Sequence, residues 1–187
     1  MPAQRLDKLL ASTGRWSRRE AKGLVRAGRV LVDGVPAKEA EEKADPACSR
    51  ILVDGSPLDW REFTYIMLHK PAGLLSATED RSQPTVLDLL SPELRRKNLF
   101  PVGRLDKDTE GLLLLTDDGA LAHRLLAPKS HVDKVYYAQL DRPLGEADRA
   151  AFAEGVTLAD GSACMPAGLT LLGDGREVLV TLHEGKF

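Results

Sequence analysis

The sequence lacks several features that would indicate particular classes of protein. Its 187 residues include only two cysteines, Cys48 and Cys164, and no nearby pair of His or Cys accompanies either of them. This pattern argues against a disulfide framework and against a zinc site, and it fits a reducing cytoplasm. The longest apolar run, residues 112–115, is far shorter than the roughly 20 residues of a membrane-spanning helix. No apolar signal region follows the N-terminus, so we predict a cytoplasmic protein without a membrane partner.

Aromatic residues are also scarce, at 5% of the sequence, whereas 43% of the residues are apolar. The core must therefore consist mostly of Leu, Val and Ala, and the chain is long enough for one medium domain or two small ones. The sequence has no glycine-rich phosphate loop and no cluster of metal ligands. We therefore predict neither a metal nor a cofactor.

Charge is unevenly distributed in this chain of net charge −2. Residues 1–30 contain eight cations and only two anions, which gives this segment a charge of +6. Such a basic cluster indicates a binding site for a polyanion, but a solvated helical face would explain it equally well.

The first 58 residues contain signals for two short helices and two hairpins. Leu6, Leu9 and Leu10 have helical spacing, and Ser17 with Glu20 forms a capping box at the start of a second helix. Two apolar segments then run into Asp-Gly pairs, which favour tight hairpin turns: residues 30–32 before Asp33-Gly34, and residues 51–53 before Asp54-Gly55. The polar residues 38–49 between them are predicted as a loop.

This arrangement resembles a known RNA-binding unit. The pattern RLDKLLA, followed by SRREAKGLVRAGRVLVDG, is similar to the S4 domain over residues 5–58. The resemblance implies an RNA-binding domain of residues 1–59 and a set of side chains that face RNA, namely Arg5, Arg15, Arg18, Arg19, Lys22 and Arg29. Contacts of this kind with phosphates provide affinity and register rather than sequence reading.

The remainder of the chain, residues 60–187, predicts a second domain. Residues 65–68 and 112–116 are predicted as buried strands, and residues 120–127 and 144–154 as helices. Further strands are predicted at residues 135–140, 169–172 and 177–182, the last two joined by a Gly173-Asp174-Gly175 turn. The fold class is therefore α+β: a small N-terminal α/β domain, then a mixed and largely antiparallel sheet.

A highly charged loop immediately precedes one of these strands. Between Gly103 and Gly111, five of the nine residues are charged, and the apolar residues LLLLT follow directly. Such a loop places carboxylates at the edge of a sheet, where active sites are common. From composition alone, a surface loop whose charges pair with one another is the more frequent explanation.

The sequence GRLDKDTEGLLLLT resembles the signature of pseudouridine synthases that act on ribosomal RNA. HKPAGLLSA, LLAPKSHVDKVYYAQL and HEGKF are similar to three further segments of that family, so the resemblance covers residues 65–187. It implies isomerisation of a uridine in ribosomal RNA. The sequence around PKSHVDK most resembles the members of the family that modify 16S rRNA. The implied partner is 16S rRNA or an immature small subunit, and we expect a monomer.

The resemblance also implies roles for individual residues. Asp106 corresponds to the catalytic aspartate, whose carboxylate acts as nucleophile, base or electrostatic stabiliser. Tyr136 corresponds to the active-site tyrosine, and Arg104 to an arginine that enters the RNA stack when the uridine leaves it. A core aromatic and a salt bridge are the structural alternatives for these two. Lys70 and Pro71 are expected to shape their loop rather than to take part in chemistry.

One departure from the family pattern concerns the end of the sequence. The third family motif continues past the position of Phe187 into a segment with a basic residue that pairs with the aspartate. We therefore expect either a fragment of a longer chain or a protein that has lost part of its site. The alternative function is an RNA-binding or ribosome-assembly factor with an inactive synthase domain.

Overall fold

The computed structural model describes residues 3–127, 130 and 132–183. The chain divides into two compact units, Met1–Ala122 and His123–Phe187. The predicted domain boundary near residue 59 lies within the first unit, which contains two separate hydrophobic cores.

The first core belongs to residues 3–60, where two helices pack beside short strands. The strands are β1 (Gln4–Arg5), β2 (Val30–Val32), β3 (Val35–Pro36), β4 (Lys43–Ala44), β5 (Ile51–Val53) and β6 (Ser56–Pro57), and the helices are α1 (Leu6–Ser12) and α2 (Arg18–Arg26). Sheet order is β3-β2-β5-β6, all antiparallel, with β1 and β4 as a separate pair. The pairing of β1 with β4 corrects the prediction of an uninterrupted loop over residues 38–49.

Local signals of the sequence account for these elements. The backbone N–H of Glu20 donates to the Ser17 hydroxyl, and the Ser17 N–H donates to the Glu20 carboxylate, so the predicted capping box is confirmed. Asp33 and Gly34 both have positive φ, at 52° and 85°, as a tight hairpin turn between β2 and β3 requires. The second Asp-Gly pair has the same conformation.

The second core of the first unit lies on one face of a three-stranded antiparallel sheet. Its strands are β7 (Tyr65–Lys70), β8 (Phe100–Val102) and β9 (Gly111–Thr116), in the order β7-β9-β8. A short 3-10 helix (Val86–Leu89) and α3 (Pro92–Arg95) connect β7 to β8, and Val86 packs with Leu113 and Leu115 in the core.

The sequence predicts both long strands of this sheet as buried, and the structure shows that this is wrong for one face of the sheet. Tyr65, Met67 and Leu112 have exposed fractions of 53%, 80% and 69%. Successive side chains of a strand point to opposite faces, and only one face packs on the core. An apolar run without alternation therefore does not show which strand face is covered.

The second unit contains another antiparallel sheet. Its strands are β10 (Lys134–Gln139), β11 (Gly168–Leu172) and β12 (Glu177–Leu182), in the order β10-β12-β11. Helix α5 (Glu146–Glu154) packs against β11, and α4 (Gly119–Leu126) spans the division between the units. Helices and antiparallel sheets together confirm the α+β prediction. Within the described residues, no helix has the length and apolar character needed to cross a membrane.

Candidate active site

The charged loop of residues 103–111 connects β8 to β9 at one end of the β7-β9-β8 sheet. Both of its terminal glycines have positive φ, 91° at Gly103 and 128° at Gly111, a conformation that other residues adopt only with strain. In the register of β7 and β9, Lys70 lies directly opposite Gly111. The end of β7 is thus adjacent to the end of the charged loop.

Lys70 is completely buried, and its ammonium group lies beneath this loop. Its Nζ donates to the carbonyl oxygens of Lys107 at 2.9 Å, Thr109 at 2.8 Å and Pro71 at 3.1 Å. These three acceptors match the three N–H donors of a lysine, so the buried charge is fully hydrogen-bonded. Lys70, which is expected to shape its own loop, thus also holds the backbone of the charged loop of residues 103–111.

Residues that follow Lys70 hold the other side of the loop. The Ser76 hydroxyl donates to the carbonyl of Leu105 at 2.8 Å and accepts from the Leu105 N–H at 3.0 Å. The Gly73 N–H donates to the carbonyl of Lys107 at 2.8 Å. The Leu105 side chain packs on the core of the sheet. The segment HKPAGLLSA therefore fixes the charged loop at several points.

Asp106 lies between the two residues that this segment holds, Leu105 and Lys107. Its carbonyl accepts from the Thr109 N–H at 3.1 Å, which closes a tight turn, while its side chain is exposed. Arg104 of the same loop is also exposed. A carboxylate on a fixed backbone with its oxygens open to solvent can act on a bound substrate without reorganising the loop.

Tyr136 belongs to the second unit, at the centre of β10. It pairs with Val180 of β12 and is half-buried, whereas Tyr137 is exposed on the other face, as the alternation of a strand predicts. The Tyr137 hydroxyl donates to the Glu177 carboxylate at 2.6 Å, and this hydrogen bond raises the pKa of Tyr137.

The cations of the N-terminal segment are largely paired with acids. Asp7 is fully buried and accepts hydrogen bonds from Arg5 and Arg18. Burial alone would raise the pKa of Asp7, but the hydrogen bonds from the two arginines outweigh it and hold the pKa below its ordinary value. Glu41 bridges Arg5, at 2.8 Å, to Lys22, at 2.9 Å. One network therefore joins Arg5, Arg18 and Lys22.

The other three candidate cations lie outside this network. Arg29 forms a two-pronged pair with Asp54, whose pKa is lowered first by that hydrogen bond and also by the charge of Arg15. The Arg15 guanidinium lies 4.6 Å from the centroid of the Trp16 ring, and Arg19 is exposed. The charge of +6 counted over residues 1–30 omits Glu41 and Asp54, which neutralise part of it.

Some positions of the family-like motifs lie outside the described residues. These are Pro128, Lys129 and His131 of the segment PKSHVDK, and Glu184–Phe187 of the closing HEGKF.

Comparison with known proteins relates both parts of the chain to characterised families. The family described as RNA pseudouridylate synthase matches residues 64–162, and the S4 domain matches residues 4–47. An RNA pseudouridine synthase of Bacillus subtilis, called YtzG and uncharacterized, is 50% identical over 98% of this chain and 78% of its own length.

A second relative and a solved structure match this chain over a similar share of its length. The ribosomal small subunit pseudouridine synthase A of Pseudomonas aeruginosa is 40% identical over 98% of this chain and 79% of its own length. A crystal structure of a pseudouridylate synthase superimposes with a TM-score of 0.61 at 34% identity, covering 98% of this chain and 79% of that one.

Proposed function

The chain belongs to the RNA pseudouridylate synthase family, and we propose that it isomerises a uridine of 16S ribosomal RNA to pseudouridine, with Asp106 as the catalytic carboxylate. The observation that carries the role of Asp106 is the fixed loop: its neighbours Leu105 and Lys107 are held through their backbones while its side chain faces solvent. In this proposal residues 1–59 bind RNA and residues 60–187 carry the chemistry.

The reaction breaks the bond between the anomeric carbon and the base nitrogen, turns the uracil and rejoins it through carbon five; carbon five loses its proton, and the freed nitrogen gains one. Asp106 acts on the sugar or base as nucleophile, general base or stabiliser of a positively charged sugar. Arg104 fills the stack that the uridine leaves, because a guanidinium both stacks on bases and binds phosphate. Tyr136 stacks on the flipped base or assists removal of the proton.

The small-subunit substrate is supported by relatives from Pseudomonas aeruginosa and Vibrio vulnificus, at 40% and 38% identity, whose names specify the ribosomal small subunit. The substrate is then 16S rRNA or an immature small subunit in the cytoplasm. We further propose that the protein acts as a monomer.

The test is release of tritium from carbon five of labelled uridines in a 16S transcript and in immature small subunits. The protein should release tritium from one of them, and Asp106→Asn should abolish the release. Asp108→Asn is the matched control, since it removes an exposed carboxylate two positions away in the same loop. Absence of release from every ribosomal RNA would overturn the proposal in favour of an RNA-binding factor. An equally deep loss in both variants would remove the single-residue assignment.

A further inference from the structure

Within the first unit, the turn between α1 and α2 is in contact with α3. Gly14 of this turn is buried with φ of +80°, and a β-carbon at this position would overlap the carbonyl oxygen of Glu93. Only glycine therefore allows the two backbones to approach so closely. We call this contact, made by Gly14 and Arg15 with Glu93 and Arg96, the seam.

Arg96 crosses the seam with its side chain half exposed. Its Nη1 donates to the carbonyl oxygen of Arg15 at 3.1 Å and lies 4.0 Å from the Glu20 carboxylate. The pKa of Glu20 is lowered mainly by its hydrogen bond from the Ser17 backbone, and the charge of Arg96 contributes to the same shift. The Arg96 side chain is 52% exposed, and both of these contacts use Nη1, one of the three nitrogens of the guanidinium.

Basic side chains lie on both sides of the seam, beside the acids Glu20 and Glu93. Arg15 and Arg19 are exposed on the S4 side, and Arg96 stands in the basic run Arg95-Arg96-Lys97 on the other side. The neighbours of Arg96 are engaged elsewhere, since Arg95 donates to the carbonyl of Leu90 and Lys97 to the hydroxyl of Thr64. Arg96 is thus the member of the run that points to the S4 turn.

We propose that Arg96 joins Arg15 and Arg19 in one phosphate-binding surface, so that a single segment of RNA is held across the seam. The inference rests on the proposed function, because it takes structured RNA as the partner. Arg15 belongs to the turn, Arg19 lies in the first turn of α2, and Arg96 reaches the Arg15 carbonyl from the end of α3. Each guanidinium can form bidentate hydrogen bonds with phosphates of an RNA backbone. These phosphate contacts do not recognise bases; they fix the position of the RNA backbone on the protein.

This phosphate-binding surface lies close along the chain to the loop that carries Asp106. Gly103, where the loop of Asp106 begins, is seven positions after Arg96, and seven residues span at most roughly 25 Å. RNA bound at the seam therefore lies within a few nucleotides of the start of the catalytic loop. The seam sets the distance between the bound backbone and the uridine that reacts.

The experiment measures binding of a 16S transcript as a function of salt concentration. Arg96→Glu should weaken binding by about tenfold and reduce the slope of log affinity against log salt by about one. Arg149→Glu, a charge reversal on an exposed arginine of α5 that also pairs with an acid, should change affinity less than about twofold. Circular dichroism melts confirm that both variants are folded.

Glu20→Gln distinguishes phosphate binding from a purely structural role of Arg96. Glutamine retains the capping box but removes the acid beside Arg96. If Arg96 binds phosphate, this variant should bind RNA about two- to threefold more tightly, because the competing acid is gone. If Arg96 only holds the seam together through the Arg15 carbonyl, Glu20→Gln should leave affinity unchanged, and Arg96→Glu should lower the melting temperature without changing the salt slope; that result overturns the inference.

Failure of this inference and failure of the proposed function have different signatures. Unchanged affinity and salt slope for Arg96→Glu, in a protein that releases tritium from 16S rRNA, overturns the seam surface alone. A protein that neither binds the transcript nor releases tritium overturns both.

Discussion

The loop around Asp106 and the basic surface of residues 5–29 hold their charged side chains by different means. The loop is fixed through its backbone: Lys70, Gly73 and Ser76 bond to peptide groups of Leu105, Lys107 and Thr109 and leave the Asp106 carboxylate exposed. The basic surface is fixed through its side chains, which bond to Asp7, Glu41 and Asp54.

The difference agrees with the roles that we propose for the two regions. Chemistry at one carbon of a sugar requires a single carboxylate in a defined position, and an ion pair on that carboxylate would compete with the substrate. Phosphate binding is spread over many weak contacts, so individual cations can keep an acidic neighbour and still contribute. The comparison predicts that changes beneath the loop affect rate, whereas changes on the basic surface affect affinity.

The largest effect is expected from Lys70→Met. This variant removes three hydrogen bonds from a fully buried group and leaves the carbonyl of Thr109 without its Lys70 donor. We expect a loss of about 3 kcal/mol in the free energy of unfolding. The rate of tritium release should fall on the order of 100-fold because the loop is misplaced.

Lys107→Met is the control for this change, since its side chain is exposed while its carbonyl still accepts from Lys70. Urea unfolding should give a free energy within about 0.5 kcal/mol of the original protein. Equal destabilisation of both variants would show that charge in the loop, and not the buried hydrogen bonds, maintains its structure.

Next in size is the combined change Arg18→Gln and Arg19→Gln on the basic surface. If both side chains contact phosphate, the affinity for a 16S transcript should fall about tenfold or more, and the salt slope should decrease by up to about two. The rate at saturating RNA should be unchanged. The charge-matched control is Arg142→Gln with Arg149→Gln, two exposed arginines of the second unit. An identical response of the two pairs would mean that only net charge matters.

A smaller effect is expected for Ser76→Ala, which removes both hydrogen bonds to Leu105. The cost should be about 1–2 kcal/mol in stability, with a roughly tenfold lower rate and unchanged RNA affinity. Ser82→Ala removes a hydroxyl that donates to Asp80 on the surface and should leave the rate unchanged. A loss of affinity in Ser76→Ala would break the separation between the two regions.

The smallest effect is expected in the dependence of thermal stability on pH. Because the pKa of Asp7 is lowered in the folded protein, its ion pairs stabilise the fold above the ordinary value of 3.8, and this contribution is lost as pH falls through the lowered pKa. At pH 7 the protein should therefore melt at a higher temperature than Asp7→Asn, and the difference should narrow below about pH 4. A difference that stays constant down to pH 2 would mean that the charge of Asp7 contributes nothing.

The sequence predicts well those features that depend only on residues close together in the chain. The capping box of Ser17 and Glu20 and the Asp-Gly turns depend on residues within three positions of one another, so their geometry follows from the pattern itself. The position of Asp106 in an exposed loop also follows from its flanking glycines and the apolar strand after them.

What the sequence did not predict depends on distant contacts. Lys70 reaches carbonyls 37 and 39 residues away, and backbone acceptors leave no side-chain pattern in a sequence. The acid that pairs with Arg5 and Lys22 is Glu41, which lies in a segment that looks like a polar loop. The open face that carries Tyr65 and Met67 likewise depends on which elements pack on the sheet.

The most direct test of the account measures single-turnover rate and RNA affinity for the same two proteins. Asp106→Asn should lower the rate of tritium release at saturating 16S transcript by on the order of 1,000-fold or more, with a dissociation constant within about threefold of the original. Arg18→Gln with Arg19→Gln should show the reverse, a weaker affinity and a normal rate. Nearly full release by folded Asp106→Asn protein would contradict the central claim that this carboxylate performs the chemistry.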